Sequence, residues 1–374
     1  MKRLTIATTI VLIVALLISV IAALQLYRNS TVPKIFVGID VAYANGTPTD
    51  FKQIVDKVKN ITNLIVIGSL DVSLNQTALN ETCDYISNAG MHFIVLFTKL
   101  QNYTYDPFEW MTDAKMKYGD KFLGVYRYDE PGGNQIDLGR EALVTNATSY
   151  DNAAQQYVDY LGVIINFYRG YAPVFTSDYA LHWFDCKCNY SAIFTEFTSN
   201  NTREIAVAQN RGAATSFEAD WGAITVWKYD APPYIESGEE LYNDMIIAYR
   251  SGAKYIIVFN YPKLNTYGLL EDEHFDALTR FWDYVRNNPQ DFGSQKAKVA
   301  YVLPENYAFG LRRPDDKIWG LFEPDALSEK VWSDVNKLID QYGFGFDIIY
   351  DEPGVVTVAR SRYKQLFFWN QTIP

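Results

Sequence analysis

The run Tyr126-Arg127-Tyr128-Asp129-Glu130-Pro131-Gly132-Gly133 sets two adjacent carboxylates directly before a proline and a glycine pair. Proline has no amide proton to give to a sheet and glycine frees the backbone, so the acids sit where a strand must stop. Carboxyls in different surroundings titrate at different pH, and two of them supply an acid together with a base or nucleophile. Hydrolysis of a glycosidic bond needs such a pair. One carboxyl protonates the leaving oxygen while the other attacks the sugar or activates water, with neither a metal nor an organic cofactor.

Neighbouring residues of a strand point to opposite faces, so Asp129 and Glu130 compete for one inward position unless the strand bulges. The partner is therefore sought on another strand. Glu196, in Phe194-Thr195-Glu196-Phe197, is the choice, and Glu130 with Glu196 is the expected catalytic pair, Asp129 being the rival for Glu130. The competing reading makes Glu130 a structural acid paired with Arg127 or Lys99. Substrate contacts are expected from Asp40, Asp71, Lys99, Tyr128 and Asp178, and from Trp227, Tyr229 and Tyr261, whose rings suit stacking on a sugar. Asp40 and Asp71 equally suit the caps of following helices.

The elements that position these residues alternate. Apolar, strand-like runs fall at 35–41, 64–70, 93–98, 123–128, 174–179, 192–197, 223–229 and 255–261, separated by segments of helical period. Eight such units between residues 33 and 289 predict a (β/α)8 barrel, a TIM barrel, whose active site lies at the C-terminal ends of the strands. A doubly wound open sheet is the runner-up, but Gly38-Ile39-Asp40-Val41 is no phosphate-binding loop. After a linker, residues 297–374 read as a small α/β appendage: strands at 299–303, 346–350 and 366–369 with one helix at 327–342.

With these residues the chain resembles the TIM-barrel glycoside hydrolases. Asp129-Glu130-Pro131 on the fourth strand is similar to the Asn-Glu-Pro of the large retaining clan, which implies the acid/base role for Glu130. That clan keeps its nucleophile at the end of the seventh strand, where this sequence has Trp227-Lys228-Tyr229 and no acid. A pair on strands four and six is instead similar to the α-galactosidase-like clan, which implies that Glu130 is the nucleophile. The appendage resembles the flavodoxin-like module that follows the barrel in some β-galactosidase-type enzymes. Its Arg312-Arg313-Pro314-Asp315-Asp316 loop is expected to reach over the barrel mouth or to form salt bridges at the domain interface. The tripeptide by itself is not specific, since Asp351-Glu352-Pro353 repeats it.

A formal net charge of −11 excludes a nucleic-acid partner, which would require a basic face. The expected partner is carbohydrate. The uncharged stretch 4–26 behind Met1-Lys2-Arg3 is long enough to cross a bilayer, so residues 1–28 read as a signal anchor with the remainder outside the cell. The alternative is a cleaved signal peptide and a secreted chain. Export agrees with glycosylation sequons at Asn29, Asn45, Asn60, Asn75, Asn80, Asn102, Asn146, Asn189, Asn200 and Asn370. The 3 Cys exclude a disulfide scaffold, leaving Cys83 to pair with either Cys186 or Cys188, and no metal site is expected. Two functions fit: a glycoside hydrolase of a cell-surface or environmental glycan, or an inactive barrel that binds sugar or serves in the cell envelope.

Overall fold

The computed structural model describes residues 34–373 except 140, 200 and 201. The signal anchor expected at 1–28 and the sequons at Asn29 and Asn200 lie outside the described residues, as does residue 374. Among the described residues no helix is long and apolar enough to cross a membrane.

Eight parallel strands close into a barrel in sequence order: β1 (Phe36–Val41), β2 (Leu64–Ile67), β3 (His92–Phe97), β4 (Phe122–Arg127), β5 (Val174–Asp178), β6 (Ala192–Phe197), β7 (Asp220–Thr225) and β8 (Tyr255–Asn260). β8 returns to β1 over six residues in register, from Phe36 opposite Tyr255 to Val41 opposite Asn260. Strand alternation divides the core in two. One set of residues fills the barrel, including Phe36, Val66, Ile94, Phe175, Phe194 and Tyr255, and the other faces the surrounding helices.

The helices follow their local signals. Thr47 and Ser237 open helices Pro48–Val58 and Gly238–Ser251 with reciprocal capping boxes, and Asp106 caps Pro107–Tyr118 ahead of Pro107. Helix Asp272–Asn287 turns Phe275, Leu278, Phe281 and Val285 inward at helical spacing.

The seventh strand departs from the sequence expectation of 223–229. It starts at Asp220 and stops at Thr225, because the amides of Lys228 and Tyr229 leave the sheet and donate to the carbonyl of Tyr234 at 2.8 and 2.9 Å. Trp227 and Tyr229 therefore belong to a loop. The loop holds an acid, Glu236, but its buried carboxyl faces Arg203 and Asp244 behind the barrel rather than the mouth.

The appendage is a three-stranded parallel sheet of order β10 (Phe346–Tyr350), β9 (Val299–Leu303), β11 (Gln365–Phe368). It has three strands where a flavodoxin-like sheet has five. Helix Ala326–Tyr342 was expected, but helix Val355–Arg362 was not, since Val355-Val356-Thr357-Val358 reads as a strand. The sheet packs tightly on the barrel. Arg211, buried on helix Arg203–Ser216, pairs with Asp347 at 2.8 Å and donates to the carbonyls of Gln295, Phe344 and Phe346. Trp319 is fully buried between Tyr157 and Phe184, with ring centroids 5.6 and 4.5 Å away.

All three cysteines are buried and free, so Cys83 is bonded to neither Cys186 nor Cys188. Of the described sequon asparagines, Asn45, Asn60, Asn75, Asn102, Asn146, Asn189 and Asn370 are exposed. Asn80 is half-buried and accepts from the Trp110 indole at 2.8 Å.

Candidate active site

A cavity of about 520 Å³ opens at the C-terminal end of the barrel, within the range of roughly 300–1,000 Å³ typical of small-molecule sites. Asp40, Asp129, Glu130 and Glu196 line it, and Trp227 and Tyr261 form one wall, their rings stacked at 5.9 Å and 12°.

Strand parity delivers most of these groups. Asp40 continues the inward series of Phe36 and Gly38, Glu196 that of Ala192 and Phe194, and Ser177 that of Phe175. At β4 parity is broken. Tyr128 and Glu130 both take left-handed backbone, at φ 65° and 48°, so Tyr128 turns outward into the helix layer and Asp129 and Glu130 both reach the cavity. The expected rivalry between the two acids is thus removed by the turn.

Three successive residues of β5 hold that turn. Thr176 Oγ1 donates to the carbonyl of Tyr128, the carbonyl of Ser177 accepts from the Glu130 amide at 3.2 Å, and Asp178 accepts from the amides of Gly132 and Gly133 at 2.6 and 2.8 Å. The glycines are required by proximity. A Cβ on Gly132 would stand 2.6 Å from that of Leu181, and one on Gly133 would enter the Tyr179 ring at 2.2 Å. Asp178 is therefore fully buried on the outward face of β5, where it also hydrogen-bonds Asp185, and it does not line the cavity.

Inside the cavity the acids are linked. Glu196 stands within hydrogen-bonding reach of Glu130. Ser177 Oγ lies 2.6 Å from Glu196 Oε1 and 2.8 Å from Tyr126 Oη, and Tyr126 Oη in turn donates to Asp129. Burial, and then the neighbouring Asp129, push Glu130 up to about 7. Burial and then Glu130 hold Glu196 well above the usual carboxylate range. Burial in the cavity raises Asp129 as well and the Tyr126 hydrogen bond lowers it, while the exposure of Asp129 to water tempers the rise. Burial and then Asp129 raise Asp40 to about 8. Burial thus favours the neutral form of both, and two carboxyls that share a site lose their protons in separate steps. Such a split separates an acid from a nucleophile.

The remaining expected contacts are scattered. Trp227 and Tyr261 line the cavity, whereas Tyr229 is exposed beside Pro232 and Pro233 in a separate surface groove. Asp71 is exposed and accepts from the Asn45 amide at 2.7 Å. Lys99 pairs with Glu141 at 3.1 Å, and Arg127 stacks on Tyr128 and Tyr168, so neither serves Glu130 as an ion-pair partner. Tyr126 and Ser177, polar ends of their strands in the sequence, line the cavity as well, and so do Phe259 and Tyr179, of which inward parity marks Phe259. Arg312 does reach the mouth from the appendage. It lines the cavity over the Tyr179 ring and is held by Asp137 at 2.8 Å and Asp316 at 2.9 Å.

No protein-family model matches the chain, and no curated protein matches it. Solved structures do. A GH42 β-galactosidase from G. stearothermophilus is similar at a TM-score of 0.55 and 11% identity, covering 89% of this chain and 67% of that one. An α-L-fucosidase from Paenibacillus thiaminolyticus is similar at 0.51 and 12%, covering 89% of this chain, which spans 59% of the fucosidase. A β-1,4-D-mannanase from Cryptopygus antarcticus matches at 0.45 and 12%, over 66% and 89%. At these identities the likeness is one of fold, that of a closed (β/α)8 barrel, and the similar structures include a β-galactosidase and an α-L-fucosidase.

Proposed function

We propose that this chain is a retaining glycoside hydrolase in which Glu130 is the nucleophile and Glu196 the general acid and then base. The observation that carries the reading is the juxtaposition of Glu130, just beyond β4, with Glu196 on β6 in a cavity with an aromatic wall. Retention uses carboxyls about 5–5.5 Å apart, and inversion needs about 6.5–9.5 Å to admit a water between them. A pair already in contact is closer to the first, and a sugar ring entering between the two opens it in that direction. Glu196 is the more deeply buried of the two, which favours its neutral form and makes it the acid.

In the first step Glu196 protonates the glycosidic oxygen as Glu130 attacks the anomeric carbon. In the second, Glu196 takes a proton from water as that water releases the sugar from Glu130. Asp40 is the natural partner for a sugar hydroxyl, and the stacked Trp227 and Tyr261 offer the apolar face of a ring its platform. The uncharged stretch 4–26 and the exposed sequon asparagines support an anchored protein facing the outside of the cell, with a surface or environmental glycan as substrate.

The test is a screen of aryl glycosides and oligosaccharides with the full chain, Glu130→Gln and Glu196→Gln, the anomer of the product being followed by NMR. Turnover lost in both variants, with the anomer retained in wild type, is the expected result. An inverted product would overturn the assignment of roles. The direct contact of the two acids also favours a second reading, a barrel that binds sugar without cleaving it. Equal glycan binding by all three proteins with no product would establish that reading instead.

A further inference from the structure

Tyr126 and Ser177 stand between Asp129 and Glu196, and the two-carboxylate reaction requires neither hydroxyl. From Glu130 to Asp129 the side chains form one unbroken chain: Glu130 to Glu196, Glu196 to Ser177 at 2.6 Å, Ser177 to Tyr126 at 2.8 Å, and Tyr126 to Asp129. Every link needs one proton, and the hydroxyls bring one each. If both hydroxyls pointed outward to the acids, the 2.8 Å contact between Ser177 and Tyr126 would hold no proton. Filling all the links therefore takes two further protons from the three carboxyls, which leaves the trio with a single negative charge.

Two arrangements meet that count with the charge at an end of the chain. In one, Glu130 donates to Glu196, Glu196 to Ser177, Ser177 to Tyr126, and Tyr126 to a charged Asp129. In the other, every bond is reversed, from Asp129 through Tyr126, Ser177 and Glu196 to a charged Glu130. Glu196 is protonated in both.

We propose that Tyr126 and Ser177 form a proton relay that passes the proton of Glu130 to Asp129, charging the nucleophile while Glu196 remains an acid. This rests on the hydrolase reading above for its purpose, though not for its existence. The step balances without a co-reactant. The Glu130 proton moves to Glu196, the Glu196 proton leaves from the other oxygen to Ser177, that of Ser177 moves to Tyr126, and that of Tyr126 moves to Asp129. One proton leaves Glu130 and one arrives on Asp129.

The upward shifts of Glu130 and Glu196, caused first by burial, run in the direction of held protons. The other charged and titratable groups facing the chain are Asp40 on β1, Asp178 behind β5, Asp137 after helix Pro131–Ile136, and Tyr179 and Arg312 at the mouth. Neither Tyr126 nor Ser177 is free to turn to solvent, since both are buried, and the Ser177 amide fixes Tyr126 Oη at 2.9 Å.

The relay is tested by NMR titration of the full chain carrying 13C-labelled Asp and Glu carboxyls, in wild type, Tyr126→Phe and Ser177→Ala. In wild type the Asp129 and Glu130 carbons are expected to move together through the same step. In either variant they are expected to separate into steps about one pH unit or more apart. Separate steps in wild type would overturn the relay. So would steps that stay joined in both variants, because the coupling would then act through space. The titration uses no substrate, so a chain that turns over no glycoside would sink the hydrolase reading and leave the relay to be judged by the resonances.

Discussion

Asp178 accepts from the Gly132 amide at 2.6 Å, so a residue of β5 anchors the first turn of the helix that the candidate nucleophile Glu130 opens beyond β4. The bond fixes where Glu130 points without Asp178 touching the cavity. Replacing it by Asn leaves an amide group facing donors with one acceptor oxygen instead of two. Asp178→Asn is expected to cost about 1–3 kcal/mol of stability by denaturant melts. It should also lower kcat more than it raises KM, and an unchanged kcat would contradict the positioning role.

Removing either acid of the central pair should act on chemistry rather than on folding. Glu130→Gln and Glu196→Gln are expected to lower kcat by about 10²–10⁴-fold. Glu196→Ala should keep most of kcat/KM on aryl glycosides whose leaving groups need no proton, since that ratio reports the first step alone. A comparison of dinitrophenyl and alkyl glycosides checks the assignment, and equal losses on both would reverse it.

Activity should follow a bell in pH. Glu130, held at about 7, must lose its proton to attack, so kcat/KM should rise through neutral pH. It should fall at higher pH as Glu196, whose proton is held more firmly, gives it up. A profile already flat from pH 5 would show that no group titrating near 7 governs the attack.

Stability carries a separate pH signature from Asp40. Its folded pKa of about 8 lies above the ordinary 3.8, so the folded state keeps a proton that the unfolded chain releases. Stability is therefore greatest below the lower value and falls as pH rises, until the folded carboxyl ionises near 8. Asp40→Asn should gain on the order of a few kcal/mol over wild type at pH 9 and little at pH 4. Thermal melts at the two pH values would show whether the gap exists.

The buried pair Arg211–Asp347 fastens barrel to appendage, and loss of one partner strands the other charge. Arg211→Ala is expected to cost about 3–5 kcal/mol, whereas replacing both residues by apolar ones should cost much less. Equal losses for the single and double variants would argue against the pair as the cause.

The barrel was legible because its strands are short apolar runs covered on both faces, and six of the eight were placed within about a residue at each end. Glu196 and Asp40 were legible for the same reason, at the ends of such runs. Asp178 was read as a cavity residue where parity favours its neighbour Ser177, which shares the inward face with Phe175. The reversal at Tyr128 and Glu130 was not legible, since left-handed backbone at a Tyr and a Glu has no sequence signature and is imposed by β5. The reach of Arg312 to the mouth was raised as an expectation, but its holding partner Asp137 lies on a barrel loop far away in sequence.

Gln135 closes a small circuit at the rim. Its amide nitrogen donates to the carbonyls of Val144 and Trp319 at 2.7 and 3.0 Å, while its oxygen accepts from the amides of Leu143 and Val144. The loop that follows Glu130 is thus tied to a residue of the appendage, and Trp319 is itself sealed under the barrel helices. The two halves of the chain are not interchangeable modules. A library that swaps appendages between barrels, or trims this one to the minimal barrel, would be altering the rim of the candidate site rather than a dispensable tail.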